Sequence, residues 1–396
     1  MADFKYTRPA VVFGLCPHGL AITRALAGAG VPVHVIESNL SLPGTKTKCA
    51  TVHHVGNINT PAVIDSLIDL HGVIAVAENP VLFPMNDNMV RVLANHWEPL
   101  RNLYLLSWAE NRMAVLSLLD KINLESHCKE RDLLYPETFY LNSVEDILEF
   151  KNTKNYPLIL KPSKPLSSFK VKLVHSYDEL CQLVAEHNTE FPLLLQRWIP
   201  GKDSSIFFGA LYLDKGKVVA HFEGRKLRSQ PLALGQTTVA ISYPSEEIYL
   251  DSLKFFEGMN LSGSVSVEFK RDSQGSLWVI EPTVGRTDYW IDCCVKNGVD
   301  FPVIEYYQQS KIPLPYFHQN NTSIWYDVSR DPYAYLAIIC NDKSTLFTKK
   351  AAFVYFSLCD LRPFFASLKL LLLRAYHYLI MIADQLLHGH KRKVVL

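Results

Sequence analysis

Apolar positions in the first hundred residues alternate between two rhythms. Ala10–Gly14 (AVVFG), Val31–Glu37 (VPVHVIE) and Val73–Val76 are short β-branched runs that predict buried strands. Between them Leu20–Ala29, Ile64–Leu70 and Asn86–Asn95 carry apolar residues at helical spacing. Strand and helix alternating at this pitch predict an open parallel sheet with helices on both faces. Gly14 and Gly19 frame the first strand-to-helix turn, but G-L-C-P-H-G is not the dinucleotide fingerprint G-x-G-x-x-G. A tight turn is sufficient reason for both glycines.

The pattern changes near Ser107. Met113–Lys121 predicts a helix; Leu158–Lys161, Lys170–Val174 and Leu193–Trp198 predict strands, and Asp178–His187 a helix. Ser205–Leu213 and Lys217–Glu223 read as a hairpin around Asp214-Lys215-Gly216. A helix at Glu246–Met259 leads into a second hairpin, Ser264–Phe269 and Leu277–Ile280, turning at Arg271–Gly275. These elements are α+β, distinct from the α/β opening. The expected division is 1–108, 109–192, 193–330 and a helical C-terminal extension, 331–396. Within that extension Pro363–Leu387 is apolar and helical in spacing. Lys369, Arg374, His377 and Asp384 share one arc of the wheel, with Leu372, Ala375, Leu379, Ile382 and Leu386 opposite. Charges so spaced argue against a spanning helix. Two readings stand: a helix packed on the body or another subunit, or one lying on a membrane surface beside the basic run His388–Lys393.

Composition narrows the class. With 48% hydrophobic residues over 396 positions the chain can bury a large core, which excludes disorder as its ground state. Forty Lys and Arg stand against 39 Asp and Glu, so no global field draws in nucleic acid, and an anionic ligand must meet a local cluster. The eight cysteines form no C-x-x-C pair, which fits reduced thiols better than zinc or disulfides. The opening MADFKYTRPAVVFGL lacks the signature of a secretory signal, so the expected location is cytoplasmic.

Four elements carry chemistry. Lys161 ends a strand before the Ser-rich turn Ser163–Ser168, where a cation, hydroxyls (Ser167 and Ser168 among them) and turn amides could hold a polyphosphate. In Leu193–Asp203 (LLLQRWIPGKD) an apolar strand reaches Gln196, with Asp203 seven residues on. Backbone groups near Arg197 and Ile199 could meet a nucleobase, and Asp203 could accept from ribose hydroxyls. Arg225, Lys226 and Arg228 place three cations in four residues, either a solvated charge run or a site for phosphoryl or carboxylate oxygens. Finally, Glu268 and Glu281 end neighbouring strands of a hairpin. Two such carboxylates repel unless a cation lies between them, and hard oxygen ligands suit Mg²⁺. Thr283, Arg286 and Asp288 follow on an irregular segment.

Together these residues resemble the ATP-grasp superfamily, and within it carboxylate–amine ligases of the D-aspartate ligase and D-alanine–D-alanine ligase type, over roughly residues 8–310. The resemblance implies a Rossmann-like pre-ATP-grasp domain followed by two α+β subdomains that hold ATP between their sheets. It also implies ATP and Mg²⁺ as cofactors and ADP-forming ligation of an acid to an amine. Arg112, at a helix start, is expected in place of the family's α-phosphate lysine, and Lys161 matches the second nucleotide lysine. Gln196 matches the residue facing the adenine amino group, Asp203 the ribose acid, and Glu268 and Glu281 the Mg²⁺ carboxylates. Thr283 stands where a third ligand is usually Asn. Lys226, Arg228 and Arg286 are expected near the phosphates, the two arginines as catalytic groups. Expected partners are a small carboxylate and amine, with a homodimer, frequent among such ligases, and peripheral membrane contact through 363–393 as further expectations. Leu166 and Lys170 replace phosphate-loop glycines, which with Thr283 leaves as one alternative a nucleotide-binding homologue without turnover; the C-terminal helix leaves another, a ligase of cell-surface polymer assembly held at the membrane.

Overall fold

The computed structural model describes residues 6–74, 78–163, 169, 171–341, 344 and 348–373. The opening pattern forms a four-stranded sheet, all parallel: β1 (Ala10–Phe13), β2 (Val33–Glu37), β3 (Thr51–His54) and β4 (Val81–Phe83), in the order β3-β2-β1-β4. Its helices are α1 (Pro17–Gly28), α2 (Val63–Ile74) and α3 (Asp87–Asn95). The strand expected at Val73–Val76 is not formed at its start. Val73 and Ile74 continue α2, and Ala75 and Val76 lie outside the described residues. The first turn is as tight as the glycines suggest: Gly14 has φ +92°, and a Cβ on Gly19 would lie 2.0 Å from the Gly14 carbonyl oxygen.

After α4 (Arg112–Leu119) the chain builds a smaller antiparallel sheet. It comprises β5 (Thr138–Leu141), β6 (Leu158–Pro162), β7 (Lys172–Val174) and β8 (Leu193–Arg197), ordered β5-β8-β6-β7. The boundary expected after residue 192 therefore falls inside this sheet, because β8 pairs with both β5 and β6. Leu158, Leu160, Val174, Leu193 and Leu195, with Leu180 and Val184 of helix Tyr177–Glu186, close a core of their own.

The third sheet has seven strands: β9 (Ile206–Asp214), β10 (Lys217–Gln230), β11 (Gln236–Ser242), β12 (Gly263–Arg271), β13 (Leu277–Val284), β14 (Ser323–Tyr326) and β15 (Lys350–Phe353). Their order is β13-β12-β9-β10-β11-β14-β15. Both predicted hairpins are present, but β10 runs seven residues further than Lys217–Glu223. The charge run is thus strand, and Lys226 is buried rather than solvated. The extension after 331 is not helical throughout, since β15 adds to the sheet edge parallel to β14. A helix follows at 362–373, the described part of the predicted 363–387 stretch. One continuous core joins the first sheet to the seven-stranded one. At their seam Trp108 Nε1 donates to the Gly285 carbonyl at 2.7 Å. A Cβ on Gly285 (φ +72°) would come within 2.9 Å of Val90.

Candidate active site

The hairpin β12–β13 sets Glu268 directly opposite Glu281. Alternation explains why Glu268 points away from the core. Val265, Val267 and Phe269 fill the core, which turns Glu268 to the other face of the strand. Burial raises the Glu268 pKa to about 7; Lys226, whose Nζ is 3.8 Å from Oε2, opposes the shift, while Asp288 and Glu281 add to it. Thr283, expected as a metal ligand, donates its hydroxyl to Asp288 at 2.9 Å. Asp288 also accepts from the Tyr289 amide. Asp288 is thus a third carboxylate whose charge reaches Glu268. Among the described residues no cluster of three or more His, Cys, Asp or Glu is already gathered as a metal-binding set. Two facing carboxylates with Asp288 nearby nevertheless fit a hard divalent cation, which would relieve the repulsion that lifts Glu268.

A cleft between the small sheet and β13 is lined by Lys121, Leu124, Tyr135, Lys161, Leu194, Gln196, Ile280 and Glu281. It brings Lys161, Gln196 and Glu281 together, as the sequence suggested. Burial, with a smaller push from Lys121 and against the pull of Glu281, lowers Lys161 to about 8. The second cation of the cleft is Lys121, not Arg112. The Arg112 guanidinium donates to the Ala109 carbonyl and to Glu98, and it does not line the cleft. The signal was present in the sequence as Asp120-Lys121, where Asp120 accepts from the Ile122 amide and caps the turn.

The segment after β8 is less available than expected. Gln196 is buried and donates Nε2 to Thr138 Oγ1 at 2.8 Å. The Arg197 guanidinium lies 5.2 Å from the Trp278 ring centroid, and its amide donates to the Glu137 carbonyl. Ile199 is buried. Asp203 turns inward and accepts from Ser229 N (2.9 Å), Ser229 Oγ (2.6 Å) and Ala233 N (3.1 Å), so it anchors the turn after β10 rather than standing free for a ribose. Near it Lys270, which the sequence reading did not single out, is buried with Nζ 3.7 Å from the Trp198 ring centroid. Burial lowers this lysine to about 8, against the pull of Asp203. Nothing short of the register of β12 would have marked Lys270, two residues beyond Glu268.

The two expected catalytic arginines are held by acids. Arg228 Nε lies 2.5 Å from Asp331 Oδ2. Arg286 binds Asp87, at the start of α3, through Nε (2.8 Å) and a terminal nitrogen (2.7 Å). Burial works against its charge, but Asp87, Asp288 and Glu281 outweigh it and hold the guanidinium charged. Beside it His18 is buried, with Nε2 2.8 Å from Thr287 Oγ1; burial and Arg286 push it down to about 3, so the ring is neutral. Ser167 and Ser168 lie outside the described residues.

No family model matches the chain. Among curated proteins it is similar to a D-aspartate ligase of Enterococcus faecium, 22% identical over 231 residues, 53% of this chain and 55% of the ligase. The chain thus matches about half the length of that relative. Among solved structures it is similar to an ADP complex of N5-carboxyaminoimidazole ribonucleotide synthetase, with TM-score 0.64, 12% identity and 88% of each chain covered. It is also similar to the biotin carboxylase domain dimer of Hydrogenobacter thermophilus 2-oxoglutarate carboxylase with MgADP, with TM-score 0.60 and 16% identity, covering 81% of this chain and 74% of that one.

Proposed function

We propose that this chain, which has the ATP-grasp fold, is an ADP-forming ligase that activates a carboxylate with ATP and joins it to an amine. The observation that carries this reading is the meeting of Lys121, Lys161 and Glu281 in one cleft, with Glu268 set opposite Glu281 on the neighbouring strand. The names of the structural neighbours and of D-aspartate ligase support it.

A carboxylate oxygen of the acid attacks the γ-phosphorus, and the bond from γ-phosphorus to the β,γ-bridging oxygen breaks, releasing ADP. The amine lone pair then attacks the acyl carbon through a tetrahedral intermediate, the nitrogen loses a proton, and the carbon–oxygen bond to phosphate breaks. Lys121 and Lys161 bind phosphoryl oxygens, and the desolvation of Lys161 strengthens its share of that attraction. Arg286, clamped by Asp87, holds a fixed positive charge beside Asp288, where charge on the acid and the transferring phosphoryl group is met. Gln196 closes the cleft floor with its amide pinned to Thr138. Glu268, Glu281 and Asp288 are the residues that would hold Mg²⁺, which supplies charge neutralisation of the phosphates.

In this reading the partners are a small acid and a small amine, with no nucleic acid, in a cytoplasmic homodimer. Residues 363–393 would contact a membrane peripherally. No described helix is long and apolar enough to cross one.

The test is calorimetric titration with ADP or a non-hydrolysable ATP analogue, with and without Mg²⁺, on the wild type and Glu281→Gln. Mg²⁺-dependent binding that weakens in the variant supports a screen of acids and amines for ADP release. Absence of nucleotide binding refutes the ligase. Binding without ADP release from any acid and amine favours the homologue that lacks turnover.

A further inference from the structure

The helix at 362–373 turns its apolar side outward. Leu361, Phe365, Leu368 and Leu372 are 36%, 61%, 43% and 64% exposed. Spaced by four, three and four residues, they fall within about 60° of one another on the wheel. Arg362 and Lys369 are exposed beside them. The inward side is served by Pro363, which is buried, and Phe364, whose ring meets Phe356 edge-on at 5.4 Å. An apolar stripe on the solvent side of a docked helix is the reverse of what a surface helix needs.

The helix is not loosely attached. Two residues before its first exposed cation, Asp360 is buried and ion-paired to Arg24 of α1 at 3.0 Å. It also accepts from Thr47 Oγ1 at 2.6 Å and the Lys48 amide at 3.1 Å. Arg24 in turn donates to the carbonyls of Val354, Tyr355 and Asp360. This latch fixes the start of the helix against the first sheet's α1, so whatever meets the stripe meets the protein in one orientation.

Charge selects the occupant. Residues 361–396 hold six cations (Arg362, Lys369, Arg374, Lys391, Arg392 and Lys393) and one acid, Asp384, whereas the whole chain has a net charge of +1. The positive charge is thus gathered in this stretch, and the remainder is net acidic. The apolar spacing also continues in sequence through Ala375, Leu379, Ile382 and Leu386. A second copy meeting this stripe with its own would set like charge against like charge.

We propose that Leu361, Phe365, Leu368 and Leu372, flanked by Arg362 and Lys369, dock the protein on an anionic lipid surface, with the Arg24–Asp360 latch setting its orientation. This gives the partner chemistry of the peripheral contact and is independent of nucleotide binding. Apolar side chains enter the headgroup boundary while the cations stay at the phosphates.

The test is co-sedimentation of the full chain with vesicles of phosphatidylcholine alone or mixed with phosphatidylglycerol, at low and high salt. The expected result is at least about tenfold stronger binding to the anionic vesicles, lost at high salt. Phe365→Glu with Leu368→Glu should abolish it, and Arg362→Gln with Lys369→Gln should weaken it. These positions are exposed, so an unchanged melting temperature and unchanged ADP titration show that the variants are folded. Equal binding to neutral vesicles, no binding to anionic ones, or full binding by the Glu variant overturns the proposal. So does a doubled mass in light scattering without lipid that reverts in the Glu variant, which would make a second copy the occupant. Loss of ADP binding with vesicle binding intact would count against the ligase alone.

Discussion

If the cleft binds nucleotide with Mg²⁺, its affinity should peak in a narrow pH window. Burial sets Glu268 near a pKa of about 7, above the ordinary carboxylate value, so it is ionised only above that pH and its contribution to cation binding is lost as pH falls. Lys161, lowered to about 8, is charged only below that pH, so its hold on phosphate is lost as pH rises. The state with both charges present is about 60% populated at pH 7.5 and about 10% at pH 6 or pH 9, taking each group to titrate with a tenfold change per pH unit. The apparent affinity for Mg²⁺–ADP should therefore fall about sixfold on either side. Calorimetry from pH 6 to 9 reads this directly. Glu268→Gln should lower affinity throughout and remove the acid limb, and Lys161→Met should do the same for the alkaline limb. A flat wild-type profile, or an acid limb that survives in Glu268→Gln, would refute the reasoning.

Lys121→Met should weaken ADP binding about tenfold, as loss of a charge-assisted phosphate contact does, while Arg112→Met leaves it unchanged; the reverse order would restore Arg112 to the site. Asp203→Asn keeps the size of the side chain but weakens acceptance from Ser229 and Ala233, so urea unfolding should shift by about 1–3 kcal/mol with little change in slope.

The parts of the molecule legible in the sequence were those with a local cause. β1 and β2 of the opening parallel sheet declared themselves through β-branched runs, though β3 and β4 did not, and the hairpin of Glu268 and Glu281 through a polar turn between apolar strands. What failed was set by contacts distant in sequence. The charge run at Glu223–Arg228 reads either as solvated or as an anion site, and only its place between β9 and β11 shows Lys226 covered and near Glu268. Asp203 has the spacing of a ligand-facing acid, but Ser229 and Ala233, about thirty residues on, take up its oxygens. Arg112 stands at a helix start, as does Lys121, and only packing shows that the first faces Glu98 while the second faces the cleft.

The small sheet has a consequence for how the molecule opens. Its core, around Leu158, Leu160, Leu193 and Leu195, is not continuous with the core that joins the other two sheets. Such a body can unfold or swing as a cooperative unit at a free energy below that of the whole protein. Lys161 and Gln196 ride on it, whereas Glu268 and Glu281 belong to the larger body. A ligand bridging the cleft would therefore tie together two bodies with separate cores. If the cleft binds nucleotide, Leu160→Ala, at a residue that does not line the cleft, should speed ADP release by loosening the smaller body, which stopped-flow displacement would read.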